Sequence, residues 1–264
     1  AKEDFVFDVA SKPALVNVDA EKQLLCTKTE IKSTKELVFQ YKNCPLWLDR
    51  YEALAELAKK PNDPDATFII IAALNDKYWS LRSDAISKLK DITSEANKPL
   101  IKEILISLAK SDKKATVRSE ALNALYTYIK DEDLLEVYKN ALNDRSYSVI
   151  GQGLLGISRV NSAEALKMCK QYETEKNNIL LLSVMSVYST YGTDENFDFF
   201  ITAKNNFKSW SLINYTNSLV YFLKRSSDET INKGVAILED IAKNEKGKWV
   251  RYYGQKGIKD LITM

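Results

Sequence analysis

"KYWSLRSDAISKL" (residues 77–89) is echoed by "KATVRSEALNALY" (residues 114–126). Each places an arginine after an aliphatic residue and an alanine three positions later, so Arg82 and Arg118 either form a site or mark a repeat. The same arginine-x-x-small pattern occurs at Arg50 with Ala53 and at Arg251 with Gly254, and Ile150 with Gly153 stands where another would fall. From Arg50 to Arg82, to Arg118 and to Ile150 the steps are 32, 36 and 32 residues. A period in the thirties made of two helices per unit is the signature of an α-solenoid, in which each pair buries its apolar face only by stacking on its neighbours. Arg50, Arg82, Arg118 and Arg251 are therefore read as structural repeat marks rather than as ligand-binding groups.

The surrounding pattern agrees. From Pro45 onward the apolar period is helical: in "PLIKEILISLAK" Leu100, Ile101, Ile104, Leu105, Leu108 and Ala109 share a stripe, and Val117, Ala121, Leu122, Leu125, Tyr128 and Ile129 do so in the next segment. Breaks such as "KKPNDPD", "NDRS", "NSAE" and "KRSSDE" hold the Asn, Asp, Ser or Pro that caps helices, with Ser226 and Glu229 at capping-box spacing. These stretches resemble HEAT repeats, whose second helix often opens with Asp or Asn before aliphatic-Arg-x-x-Ala, as in "NDKYWSLRSDA". The resemblance implies that the alanine allows close helix packing and that the arginine ties adjacent repeats. Between residues 155 and 248 the arginine mark is lost, although "NILLLSVMSVYSTY" and "WSLINYTNSLVYFL" keep helical length.

Residues 1–42 read differently. "DFVFDV", "PALVNV" and "ELVFQY" are short, alternating and β-branched or aromatic, which predicts a few strands. The expected architecture is mainly α, a HEAT-like α-solenoid over residues 43–264 preceded by a short β segment over 1–42 that leans on something larger.

Composition narrows the chemistry. The 264 residues carry 38 Lys and Arg against 36 Asp and Glu, a formal charge of +2, too balanced for the basic field of a general nucleic-acid binder. Histidine is absent, which removes the commonest general base near neutral pH and the commonest metal ligand. Cys26, Cys44 and Cys169 are widely spaced and too few for a four-sulfur zinc site, so they read as small apolar residues, with a Cys26–Cys44 bridge open to an oxidising compartment. No signal-peptide pattern opens the sequence, and no apolar run approaches the roughly 20 residues of a membrane span. The chain is expected to be soluble.

Catalytic signatures are lacking: there is no HExxH, GxSxG, Walker loop, GxGxxG or EF-hand loop. "GQGLLG" (residues 151–156) follows a helical context rather than a strand, so close helix packing accounts for it better than phosphate binding. Aromatic residues gather in the C-terminal third, interleaved with Lys and Arg. Among them Trp210, Tyr215, Arg225, Trp249 and Tyr252 are candidates for contact with a peptide or partner, with core packing as the competing account.

"FDVASKPALVNVDAEKQLL" (residues 7–25) resembles the closing strands of the β-sandwich domain in the aminopeptidase N family of zinc metallopeptidases. Pro13, Val16, Val18, Asp19, Leu24 and Leu25 carry the match. It covers under a tenth of the chain, and the helical repeats follow it in that family's domain order. The resemblance implies a non-catalytic C-terminal domain that covers the active-site mouth of an upstream catalytic domain in the same chain and restricts or positions peptide substrates. It also implies zinc in that missing domain, none in this one, and export to the periplasm. The family's HExxH and GxMEN motifs have no matching positions here, so no catalytic residue is carried over. The alternative is a free-standing HEAT-repeat protein-binding scaffold. A third reading, a DNA-binding helical repeat resembling the HEAT-like alkylbase glycosylases, needs a concentrated basic groove that the near-neutral charge disfavours.

Overall fold

Helix starts follow from capping chemistry. Ser33 accepts from the Glu36 backbone N–H while Glu36 reaches back to Ser33, a complete capping box that opens α1 (Thr34–Asn43). Asp63 caps α3 (Pro64–Ala73), which has proline at its first position, and Asn161, Asn177 and Ser227 cap α9 (Ser162–Cys169), α10 (Asn178–Tyr191) and α13 (Asp228–Asn244). The last of these caps is one residue later than Ser226, the position that spacing suggested.

The structure, a computed structural model, describes residues 4–263. Those residues hold fourteen α-helices and no strand. The others are α2 (Trp47–Leu57), α4 (Trp79–Ile92), α5 (Lys98–Ser111), α6 (Ala115–Ala124), α7 (Leu135–Ala141), α8 (Tyr147–Val160), α11 (Phe197–Ala203), α12 (Trp210–Leu223) and α14 (Lys248–Ile262). A π-helical turn, Leu125–Ile129, extends α6. The architecture is a HEAT-like α-solenoid of helical pairs, and it divides within α5 into two compact units, Ala1–Ile104 and Leu105–Met264.

In the first unit α1 packs on α2 and α3, and α3 on α4, around Leu37, Tyr41, Leu54, Leu57, Ile70 and Leu81. In the second unit the second helices of successive pairs, α6, α8, α10, α12 and α14, lie each against the next. Phe199 and Phe200 of α11 seat their rings between Tyr188 and Phe222, with centroids 5.3 and 4.7 Å apart. Each fully buried ring or leucine of this kind contributes roughly 1.5–3 kcal/mol. The stripe read in α5 is core at Ile101, Leu105, Leu108 and Ala109, but Leu100 is half exposed.

The strands expected in residues 1–42 are absent from residues 4–42, residues 1–3 lying outside the described residues. "ELVFQY" lies in α1, where Leu37, Gln40 and Tyr41 are buried at helical spacing. Residues 4–32 run as irregular chain, and residues 17–32 are tied to α1 and α2. Alternation made this segment look like β structure, but no strand among the described residues pairs with it, and an isolated strand gains too little to form.

"GQGLLG" packs α8. A Cβ on Gly153 would stand 2.8 Å from the Tyr138 carbonyl oxygen, and one on Gly156 would overlap the Tyr138 ring. Gly156→Ala is therefore predicted to cost about 1–3 kcal/mol by overpacking. Thermal unfolding followed by circular dichroism should show a midpoint several degrees lower; an unchanged midpoint would refute this close α7–α8 packing.

Candidate protein-binding faces

The arginine marks are fixed by a recurring bond pattern. Each occupies the fourth position of a second helix. Arg82, Arg118 and Arg251 donate backward from Nη1 to the carbonyls of Asp76, Asp112 and Glu245, at 2.7, 2.8 and 2.8 Å. Two arginines also reach forward to the aspartate that opens a following second helix. Arg50 pairs with Asp76, and Arg118 takes both carboxylate oxygens of Asp144 at 2.7 and 2.8 Å. Asp76 and Asp144 in turn accept from the backbone N–H two residues on, at Tyr78 and Ser146. The carboxylate of Asp76 is wholly buried and also accepts from the Tyr41 hydroxyl at 2.5 Å, and Arg50 lies 4.9 Å from the Tyr41 ring centre. Burial first, and then the bond to Asp76, raises the pKa of the Tyr41 hydroxyl far above that of free tyrosine. The bidentate bonds of Arg118 hold the Asp144 carboxyl below the usual carboxylate range.

Of the residues singled out for partner contact, Tyr215 is fully buried and donates its hydroxyl to the Phe200 carbonyl at 2.8 Å. Arg225 donates to the carbonyls of Ser189 and Gly192, joining the ends of α10 and α12. Trp210, Trp249 and Tyr252 face solvent. They belong to a pattern that the arginine marks had hidden. Trp47, Trp79, Tyr147 and Trp210 are the first residues of α2, α4, α8 and α12, and Ile179 and Trp249 are the second residues of α10 and α14. All four tryptophans of the chain are 38 to 70% exposed. Tryptophan is highly buried on average, and exposed at the start of one helix after another it has the composition of interface anchors rather than of core.

In the first unit Trp47 stacks on Tyr51 at 5.2 Å and donates from Nε1 to Ser80 Oγ at 2.8 Å. In the second unit Trp249, Tyr252 and Tyr253 form a chain of rings 6.0 and 5.5 Å apart.

The N-terminal segment offers a second apolar surface. Phe5, Val6, Phe7 and Val9 are all more than 60% exposed, and the backbone of residues 5–16 makes no hydrogen bond among the described residues. Farther along, Asn17 donates to Asp49 at 3.0 Å. Polar ties continue through Lys22 to Asp49 at 2.7 Å, Lys28 and Lys32 to Glu30 at 2.9 Å each, and Lys32 to Gln40 at 2.8 Å. A cleft of about 390 Å³ lies under this strap, lined by Lys28, Glu30, Lys32, Tyr51, Glu52 and Lys60, but its charges largely satisfy one another.

Other ionisable groups serve as packing or ties. Cys26, Cys44 and Cys169 are free thiols, and burial pushes Cys169 up to about 12, which keeps it protonated and unreactive. Among the described residues no cluster of three Cys, Asp or Glu side chains is arranged to hold a metal ion, and no helix is long and apolar enough to cross a membrane.

No protein-family model matches the sequence, and neither does any curated protein. Among solved structures, a chain from the complex of CpcE and CpcF of phycocyanin lyase from Nostoc sp. PCC7120 is similar over 90% of this chain and 98% of its own. The TM-score is 0.54 and the sequence identity 12%. An engineered protein is similar over 88% and 98%, with a TM-score of 0.40 and 14% identity. At 12% identity the first likeness extends to the fold and no further.

These findings correct the resemblance to aminopeptidase N. No curated peptidase matches, and a similar solved structure comes from a phycocyanin lyase complex. The stretch that carried the match is not a closing strand either: Asp19 has φ 52°, and its carboxylate accepts from the backbone N–H groups of Gln23 and Leu24 in a tight turn. The role of a peptidase lid falls with it.

Because the folded-state pKa of Asp144 is depressed, its contribution is present above the ordinary carboxylate range and lost as pH falls through the lowered pKa. Asp144→Asn should therefore cost about 1–3 kcal/mol near neutrality. In urea unfolding the gap to wild type should close in acid; a pH-independent gap would contradict the ion pair. Deleting residues 5–16 should lower the unfolding midpoint far less than deleting residues 17–32, which carry the ties to Asp49, Glu52 and Gln40. Equal effects would show that the polar strap contributes nothing.

Proposed function

We propose that this chain is a non-catalytic HEAT-repeat scaffold that binds another protein through the exposed aromatic starts of its second helices. The observation that carries this reading is the placement of every tryptophan at such a start, 38 to 70% exposed, on helices that bury an apolar face elsewhere. A solenoid supplies repeated, rigidly spaced helix ends, and large side chains with two rotatable bonds give contact area at small entropic cost. The structurally similar chain comes from a complex of CpcE with CpcF, which supports association with a second protein as a use of this fold.

The test is co-purification of partners with the wild-type chain and with a Trp210→Ala/Trp249→Ala variant whose circular dichroism is unchanged. The expected result is a partner recovered in near-stoichiometric yield with wild type, reconstituted from purified components, and lost with the variant. A partner retained equally by both, or no partner from the native host, would refute the reading.

A further inference from the structure

The face made by α12 and α14 has a chemistry of its own. Along α12, Trp210, Asn214, Asn217, Tyr221 and Lys224 point to solvent at helical spacing, while Leu212, Tyr215, Leu219 and Phe222 point to the core. Two glycines draw α14 close. A Cβ on Gly254 would stand 2.9 Å from the Ala242 backbone nitrogen, and one on Gly257 would stand 2.7 Å from Val220 Cγ2. The close approach leaves a cleft of about 180 Å³ lined by Tyr221, Lys224, Tyr253, Lys256 and Asp260. That is room for one apolar side chain, since a cavity of about 150 Å³ admits benzene. The rings of Trp249, Tyr252 and Tyr253 lead into it.

The charge around this cleft is one-sided. Asp260, its one carboxylate, is held by Lys256 at 2.6 Å. Lys208, Lys224, Lys248 and Lys259 are exposed and form no direct ion pair among the described residues, although the charges of Lys224 and Lys259 also act on Asp260. Asn214 and Asn217, between the two exposed aromatics of α12, each offer an amide donor and acceptor of the kind an extended backbone requires. Directly before Trp210, Ser209 adopts φ 52° and ψ −127°, a conformation that glycine takes more readily. Strain of this sort is retained where the surrounding structure has a use for it.

We propose that the α12–α14 face binds an extended acidic segment of a partner protein. One apolar side chain of the segment enters the cleft between Tyr221 and Tyr253, and flanking carboxylates pair with Lys224, Lys248 and Lys259. This rests on the protein-binding reading above and adds the chemistry of what is bound.

The probe is a displayed library of random dodecapeptides panned against the full chain, followed by titration of the selected synthetic peptides by fluorescence anisotropy. Enriched sequences should combine Asp or Glu with a single aromatic or large aliphatic residue. Their affinity should fall at least tenfold in Tyr221→Ala and in Lys224→Glu/Lys259→Glu, and should weaken with added salt. Neutral or basic selected peptides, or acidic ones that the charge-reversed variant binds equally, would overturn the acidic assignment while leaving the scaffold reading intact if Trp249→Ala still abolishes binding. Failure to enrich any peptide would overturn this inference, and the co-purification experiment would then judge the scaffold reading by itself. Phosphatidylserine vesicles provide the remaining arm. Flotation of wild type but not of the charge-reversed variant, with no peptide selected, would assign the face to a membrane and refute the proposal.

Discussion

The repeat depends on an arginine at the fourth position of a second helix that bonds in two directions. Backward, it holds the loop carbonyl before its own helix, as Arg82, Arg118 and Arg251 do. Forward, it holds the aspartate that opens a following second helix, as Arg50 does to Asp76 and Arg118 to Asp144. One planar fork thus fixes a helix start and its spacing to the next, a task for which a lysine's single ammonium is poorly shaped. Carboxylates so held are expensive to leave unpaired, so the ties specify register as well as adding stability.

Small residues complete the constraint. Three positions after the arginine, Ala53, Ala85, Ala121 and Gly254 are buried, and Gly153 occupies the corresponding place in α8. Without a larger side chain there, neighbouring helices approach closely and exclude water from their shared face. The outward residues at the helix starts are less enclosed, and there the chain places tryptophan and tyrosine, 38 to 70% exposed.

Helix period, breaks and the first repeat marks were legible in the sequence because they are local: a 3.6-residue stripe and an Arg-x-x-Ala spacing need no knowledge of distant partners. The later repeats were less legible. At Ile150, Leu181 and Ile213 an aliphatic residue replaces the arginine, although Gly153, Val184 and Thr216 keep the buried position three residues on. There the tie passes to Arg225, which grips the end of α10 from the end of α12, a contact that no local spacing announces. The aromatic starts were visible as letters but not as a pattern until helix boundaries were known. The N-terminal strands failed for the opposite reason. Alternation in "DFVFDV" is a strand signal, but strands need partners, whereas the Ser33–Glu36 capping box that opens α1 was present to be read. Tyr215 and Trp210 look alike as candidates in a list of aromatics, and only packing separates a core tyrosine from an exposed anchor.

Hydrogen exchange of the full chain, with and without its protein partner, bears most directly on the claim that helix starts form the binding surface. The first backbone N–H groups of a helix have no intrahelical acceptor and exchange readily, so covering them leaves a clear mark. The account predicts that new protection concentrates at the beginnings of α12 and α14, around Trp210 and Trp249. Protection confined to the first helices of the pairs, such as α9 and α13, with those starts still exchanging freely, would contradict it.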